Sequence, residues 1–271
     1  VENDQFWKKG TIASDSISGE SWSFNIGPVG KLFDRLEELP KLGDHANIFK
    51  GVGTNADTVY LLENRENGLY SKELDEIIDL EEEILRPALK GNDIDSYHYE
   101  RDHRLLFPYE IDGGDVELLT QDKLKESHPQ AWHYLERVQE TLESRESGKY
   151  RGDEDWYRFG RPQNMTILAQ EKAVLPDVVN ESTLAFDSEG RYILDTAYGI
   201  VSDEYSDKYL TPILNSDLLT NFLHLTGTDL RGGYFRMKTA YLNPFPIPDI
   251  DFSTPNSERE SRVSELKAEY H

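Results

Sequence analysis

Strand-like and helix-like segments follow one another along this chain in no repeating order. That excludes the regular β-α-β alternation of a doubly wound parallel sheet. It predicts an α+β (mixed α/β) domain, with a mixed or antiparallel sheet and flanking helices. Strand-forming residues occupy 46–50 and 58–63 on either side of the turn Gly51-Val52-Gly53-Thr54-Asn55. Residues 81–89 read as a short helix that carries Pro87 and ends at Gly91, and 104–109 as a strand stopped by Gly113-Gly114. The strongest helix runs from Pro129 to Arg145, where Trp132, Leu135, Val138 and Leu142 recur at helical spacing among polar residues. A charged loop at 147–155 leads into Trp156-Tyr157-Arg158-Phe159-Gly160-Arg161-Pro162-Gln163-Asn164. Strand character returns at 173–179, 183–186 and 192–201, and 209–225 reads as two helical turns and then a longer helix.

The ends differ from this middle. A Gly/Ser-rich loop at 14–23 precedes an amphipathic helix at 29–39, with Leu32, Phe33, Leu36 and Leu39 on one face. After Ile250 the chain turns polar, so residues 1–250 read as one domain and 251–271 as a connector with a charged helix at 258–270. With 37% hydrophobic residues, 15 Tyr and 11 Phe, the 271-residue chain can bury a real core and is not a disordered one. It has no apolar run of the roughly 18 residues a membrane helix needs, and Val1-Glu2-Asn3-Asp4 is not a signal peptide. The expected setting is the cytoplasm, with no membrane partner. A start at Val1 points to a piece of a longer polypeptide.

Several chemistries drop out early. Cysteine is absent, so disulfides, thiolate nucleophiles and cysteine metal sites are excluded. The seven histidines show no zinc spacing, and no serine sits in a glycine-flanked elbow. Gly51-x-Gly53 resembles part of a dinucleotide loop, but that loop must open a helix and here a strand is expected to follow. A tight turn whose amides touch a phosphate remains open. Pro248-Asp249 with Glu265-Leu266-Lys267 formally matches a loose metal-nuclease pattern, which 52 acidic residues produce readily by chance. No catalytic residue and no metal ligand is assigned.

Against 52 acidic residues stand 29 basic ones, a net charge of -23 that repels nucleic acid at low ionic strength. High salt screens such self-repulsion, so a halophilic source is one explanation. It predicts a melting temperature that rises between low and molar KCl; a flat response counts against it. The cations are also clustered. Arg161, Gln163 and Asn164 follow Arg158 beside Trp156 and Tyr157, and Arg231, Gly232, Gly233, Tyr234, Arg236 and Lys238 form a second group with only Asp229 nearby. Arg can read guanine, and Asn or Gln adenine, in the major groove, while paired glycines let backbone approach a phosphate. The alternative is that these arginines pair with surface carboxylates.

The segments together resemble the TaqI-like C-terminal specificity (target recognition) domain of type II restriction-modification enzymes and N6-adenine DNA methyltransferases, from about Ser14 to Ile250. The matching stretches are Gly51 to Tyr60, Leu85 to Ile94, Leu106-Phe107-Pro108-Tyr109, Tyr134-Leu135, Trp156-Tyr157 with Gly160 to Asn164, and Lys172 to Asp177. Thr196 to Ile200, Leu214-Asn215-Ser216, Arg231 to Arg236 and Phe245-Pro246-Ile247-Pro248 complete the order. The resemblance implies a domain that binds double-stranded DNA beside a methyltransferase domain of the same or a partner chain. That partner would bind S-adenosylmethionine and flip the target adenine; no cofactor is expected here. The methyltransferase motif Asn/Asp-Pro-Pro-Tyr or Phe is missing, and Asn243-Pro244-Phe245-Pro246 reads as a turn. Candidate DNA contacts are Arg231, Gly232, Gly233, Tyr234, Arg236, Lys238, Arg161, Gln163 and Asn164, with Lys50, Thr54 and Asn55 as phosphate or edge contacts. Two other classes stay open: an acidic DNA mimic that occupies a restriction or modification enzyme, and an enzyme with a nonlocal carboxylate pair.

Overall fold

The structure, a computed structural model, describes residues 2–3, 8–9, 35–36, 38–100, 103–228 and 230–248. The expected loop at 14–23, most of the helix at 29–39, and the segment 251–271 lie outside the described residues. The chain divides into two compact units, residues 1–41 with 246–271, and residues 42–245. In the first, β1 (Glu2–Asn3) pairs antiparallel with β2 (Lys8–Lys9), and Lys41 bridges Pro246.

The second unit opens with α1 (Leu42–His45) and β3 (Asn47–Lys50). After the glycine turn comes α2 (Asp57–Tyr60), a single helical turn, where the sequence pattern predicts a strand from Thr58. Local chemistry overrides β propensity there: Thr54 Oγ1 accepts from Ala56 N at 3.0 Å and bonds the Asp57 carboxylate, while Val59 and Tyr60 turn fully into the core. Then β4 (Leu61–Arg65), β5 (Gly68–Ser71) and β6 (Glu76–Ile78) form an antiparallel meander.

Residues 85–89, read from sequence as helix, form β7 (Leu85–Leu89) after a 3-10 turn at Glu82–Ile84. Two nonlocal neighbours impose this. β7 pairs antiparallel with β10 (His103–Leu106) and parallel with β16 (Tyr192–Ile193); β10 pairs in turn with β4. Pro87 is tolerated because β16 pairs only with Ala88 and Leu89. The six-stranded order is β16-β7-β10-β4-β5-β6. Between these strands lie two hairpins, β8 (Ile94–Asp95) with β9 (His98–Tyr99), and β11 (Tyr109–Asp112) with β12 (Asp115–Leu118). The second turns at Gly113 and Gly114, whose φ of 56° and 98° is the left-handed geometry of a two-residue hairpin.

The single helix expected over 129–145 is α4 (Pro129–Arg137) and α5 (Gln139–Gly148), preceded by α3 (Gln121–Ser127). Val138, at φ -107° and ψ 12°, breaks it, yet Trp132, Leu135, Val138 and Leu142 all remain buried. Glu81 caps α4 from a distant loop, accepting from Gln130 N at 2.8 Å and Ala131 N at 3.0 Å. These helices bury their apolar stripe in one core with Tyr60, Leu62, Leu105, Phe107, Tyr157 and Phe159.

A second sheet, in the order β15-β13-β17-β3, combines β13 (Lys172–Pro176), β15 (Ala185–Asp187) and β17 (Ala197–Val201) with β3. β13 pairs with β15 and β17 along its two edges and is buried at every residue. The strand expected over 192–201 is therefore two, β16 and β17, in different sheets. Helices α6 (Asp207–Leu214) and α7 (Asp217–Thr226) follow, as their periodicity predicts. β14 (Val178–Val179) and β18 (Phe235–Arg236) make a small antiparallel ribbon before α8 (Thr239–Leu242).

Candidate nucleic-acid interface

The sequence-distant cationic segments converge on the end of β3. Residues 161–164 are stitched to the glycine turn by main-chain bonds Gly53 N to Arg161 O, 3.0 Å, and Arg161 N to Gly53 O, 2.8 Å. Gln163 Nε2 donates to Gly51 O at 2.7 Å, and Asn164 Nδ2 to Lys50 O at 2.8 Å. Both amide side chains thus hold the loop in place through their NH₂ groups. Arg161 Nη2 reaches Asp195 at 2.8 Å and Asn55 Oδ1 at 3.4 Å, and Asn55 Nδ2 donates to Glu146 at 2.8 Å. Thr54 is fully buried, its hydroxyl engaged within the turn.

Gly51 has a steric cause. A Cβ there would stand 2.2 Å from Leu194 O and 2.4 Å from Ile193 O. The chain crosses the end of β16 at backbone contact, so this glycine serves strand packing.

Asp177, just after β13, joins Lys50 to the ribbon. Its Oδ2 lies 2.9 Å from Arg236 Nη1 and 3.6 Å from Lys50 Nζ. Lys50 also stands 5.6 Å from the Tyr198 ring centre. Burial raises the Tyr198 phenol above its usual 10.0, and Asp177 and Asp195 add to this while Arg236 opposes it. The two ion pairs therefore share one neighbourhood. Past the ribbon, Lys238 sits 4.5 Å from the Tyr241 ring centre, and Tyr241 bonds Thr228 at 2.8 Å.

The loop before β18 is closed by Leu230 N to Tyr234 O at 2.6 Å. Gly232 and Gly233 have φ of 84° and 81°, which side-chain-bearing residues rarely adopt. Arg231 is exposed and makes no ion pair with a described residue, and Tyr234 is 45% exposed beside it. Arg158 belongs elsewhere: it pairs with Asp153 at 2.7 Å and packs on Tyr150, while Trp156 and Tyr157 are core residues. Carboxylate pairing and convergence thus hold together, since Arg161 and Arg236 are each paired yet keep side chains 56% and 44% exposed. Sequence reasoning missed Asp177 and Asp195, because nothing in a chain so rich in acids distinguishes the two that meet these arginines.

Among the described residues no group of three or more His, Asp or Glu could hold a metal ion, and no helix is long and apolar enough to cross a membrane. Asn243 and Pro244 form a turn, as expected.

The chain is thus an α+β protein in which Lys50 and Arg236 meet at Asp177 beside a small β-ribbon. Residues 86–247 match the TaqI-like C-terminal specificity domain, and the chain belongs to that family. The match begins after the glycine turn, so residues 51–60 stand outside it. The type II restriction enzyme and methyltransferase RM.Eco57I of Escherichia coli is 25% identical over 293 residues, spanning 100% of this chain and 29% of the relative. The type II methyltransferase M.PaeR7I of Pseudomonas aeruginosa is 25% identical over 240 residues, spanning 88% of this chain and 38% of the relative. M.BanIII of Aneurinibacillus aneurinilyticus is 26% identical, with 81% and 40% covered. The chain therefore spans well under half the length of these relatives. Its fold is shared with the type IIL restriction-modification enzyme MmeI, solved in complex with DNA, at TM-score 0.53 and 15% identity over 86% of this chain and 29% of that one.

Proposed function

We propose that this chain reads the base sequence of duplex DNA for a restriction-modification enzyme and directs adenine-N6 methylation by a separate catalytic domain. The observation that carries it is the placing of Lys50 and Arg236 about Asp177 at one ribbon, with Lys238 and an exposed Arg231 that makes no ion pair with a described residue close by in sequence, on a chain whose net charge is -23. Cations so placed suit phosphates and guanine edges, and their retention against the general charge asks for a local anionic partner. The relatives are restriction and modification enzymes, and the fold neighbour holds DNA. S-adenosylmethionine and the flipped adenine belong to the catalytic domain, because this chain lacks the Asn/Asp-Pro-Pro-Tyr motif. The chain itself is the non-catalytic part. Whether cleavage accompanies methylation lies with other segments.

The test is fluorescence anisotropy on duplex DNA across a salt series. Arg231→Ala and Arg236→Ala are each expected to weaken binding about fivefold to a hundredfold. A phosphate contact at Arg231 also predicts a salt slope shallower by about 0.9. Unchanged affinity in both variants removes the ribbon from the interface. Binding to a basic methyltransferase with indifference to duplex DNA would instead favour a DNA mimic.

A further inference from the structure

The ribbon has two unlike faces. Val179 and Phe235, directly opposite each other, are buried at 7% and 0% exposure. Val178 and Arg236 are the other opposed pair, and Val178 is 43% exposed. Directly opposed residues of an antiparallel pair project from the same face, with Cβ atoms about 5 Å apart. Tyr234 lies two residues before Arg236 and is 45% exposed. An outward valine beside an arginine contributes nothing to the core. Asp177, immediately before it, grips that arginine at 2.9 Å, and Met237 N donates to Asp177 O at 2.9 Å. Guanidinium, aliphatic side chain and positioning carboxylate are thus fixed on one two-stranded element.

A two-stranded ribbon fits the major groove, about 12 Å wide, where guanine presents O6 and N7 and thymine its C5-methyl group. We propose that Arg236 and Val178 read adjacent base pairs: Arg236 takes a guanine, and Val178 packs on the C5-methyl of a neighbouring thymine. Asp177 is a positioning residue that holds the guanidinium in its reading orientation. The spacing suits this, since the two side chains start about 5 Å apart and successive base pairs stack about 3.4 Å apart. Lys50, Arg231 and Lys238 flank the pair with charge for the phosphates. The valine excludes water from the methyl, which a polar side chain at 178 would not do. The inference rests on the DNA-reading function proposed above.

The experiment selects duplexes from a random-sequence library with the 271-residue chain, then replaces each thymine of the enriched sequence by uracil, which lacks only the methyl. The expected enriched sequence contains guanine next to thymine. Uracil at that thymine weakens wild-type binding about fourfold, the value of one buried methyl-sized group. Val178→Ala lowers affinity for the thymine duplex similarly and no longer distinguishes uracil. Asp177→Asn loses preference at the guanine position while binding unrelated duplexes more tightly, a pairing of effects that simple loss of structure does not give. Equal wild-type binding to thymine and uracil duplexes at every position overturns the Val178 assignment and leaves DNA reading intact. Enrichment of no sequence removes the DNA-reading function, and this inference with it. The uracil arm uses unaltered protein, so it decides even where a variant fails to fold.

Discussion

Replacing Arg145 with Met is expected to cost about 3–5 kcal/mol of stability, from two or three stranded carbonyls at about 1–3 kcal/mol each. The Arg145 side chain is buried, and all four of its hydrogen-bond partners are main-chain carbonyls. Nε donates to Leu142 O at 2.8 Å, Nη1 to Thr54 O at 2.9 Å, and Nη2 to Trp156 O at 2.7 Å and Arg158 O at 2.9 Å. Its guanidinium also stacks 4.4 Å from the Tyr150 ring centre. One side chain thus ties the end of α5 to the glycine turn and to the segment after the charged loop. It sits where the helix breaks, since Arg145 has ψ 149° and Glu146 and Ser147 follow at φ 49° and 63°. Met fills much of the volume but offers no donor, so the carbonyls of Trp156 and Arg158 lose the guanidinium that serves them, while Thr54 O keeps only Gly160 N at 3.1 Å. Arg145→Lys recovers little, because an ammonium cannot match the planar fork that serves three segments at once. Urea unfolding at neutral pH measures the loss. A change below about 1 kcal/mol would mean that water reaches these carbonyls and that each bond's net value is the small one of an exchange with solvent. DNA affinity should fall with stability, because Arg145 holds the turn on which Asn55 and Arg161 meet.

What the sequence made legible follows the range of the forces involved. The α6–α7 pair, the Gly113-Gly114 turn and the apolar run of β13 are local patterns and lie where the sequence put them, whereas the strand expected over 104–109 is two, β10 and β11, and β12 carried no signal. Segment 85–89 is the opposite case. The acidic run before it and Leu85, Ala88 and Leu89 look helical, but partners at 103–106 and 192–193 decide the matter, and no local rule contains them. Thr58 to Tyr60 failed through a side-chain bond from Thr54. Of the candidate site, the residue types were readable and the geometry was not. Gln163 and Asn164 offered adenine-reading chemistry, yet the fold directs their donors to the carbonyls of Gly51 and Lys50. Val178 carried no signal at all, since only a ribbon with Phe235 and Val179 turned inward leaves it outside. Arg145 read as the last residue of an amphipathic helix, and its role depends on carbonyls as much as 91 positions away in sequence.

The second large effect is expected at the buried pair at the start of β13. Lys172 and Asp187 are both fully buried and 2.9 Å apart, joining the start of β13 to β15. Lys172 Nζ also donates to Leu168 O at 2.8 Å and Gln170 O at 2.9 Å, while Asp187 accepts from Glu189 N at 3.1 Å and Arg191 N at 2.7 Å. Asp187→Asn keeps acceptors for the turn but leaves the ammonium without a counter-charge. Such a lone charge sheds its proton when holding it costs more. From an unfolded value of 10.5, deprotonation at pH 7 caps the loss at about 5 kcal/mol, and 3–5 kcal/mol is expected, roughly the cost of breaking a buried pair. Lys172→Met should cost a similar amount, and the double variant distinctly less than the sum, because each single change strands the other partner. The pair also leaves a pH signature. Burial pulls the Lys172 ammonium below its ordinary 10.5, with Asp187 opposing the shift, so between the folded value and 10.5 the unfolded chain binds this proton more tightly. The unfolded state then holds more protons than the native one, and stability gains from this group as pH rises through that window. Urea unfolding of wild type and Lys172→Met between pH 7 and 10 isolates the term: the gap between them should widen with pH. A constant gap would mean that the lysine titrates alike in both states and that its neighbours offset its burial completely. Because β13 leads directly into Asp177 and Val178, DNA selectivity should degrade together with stability in these variants.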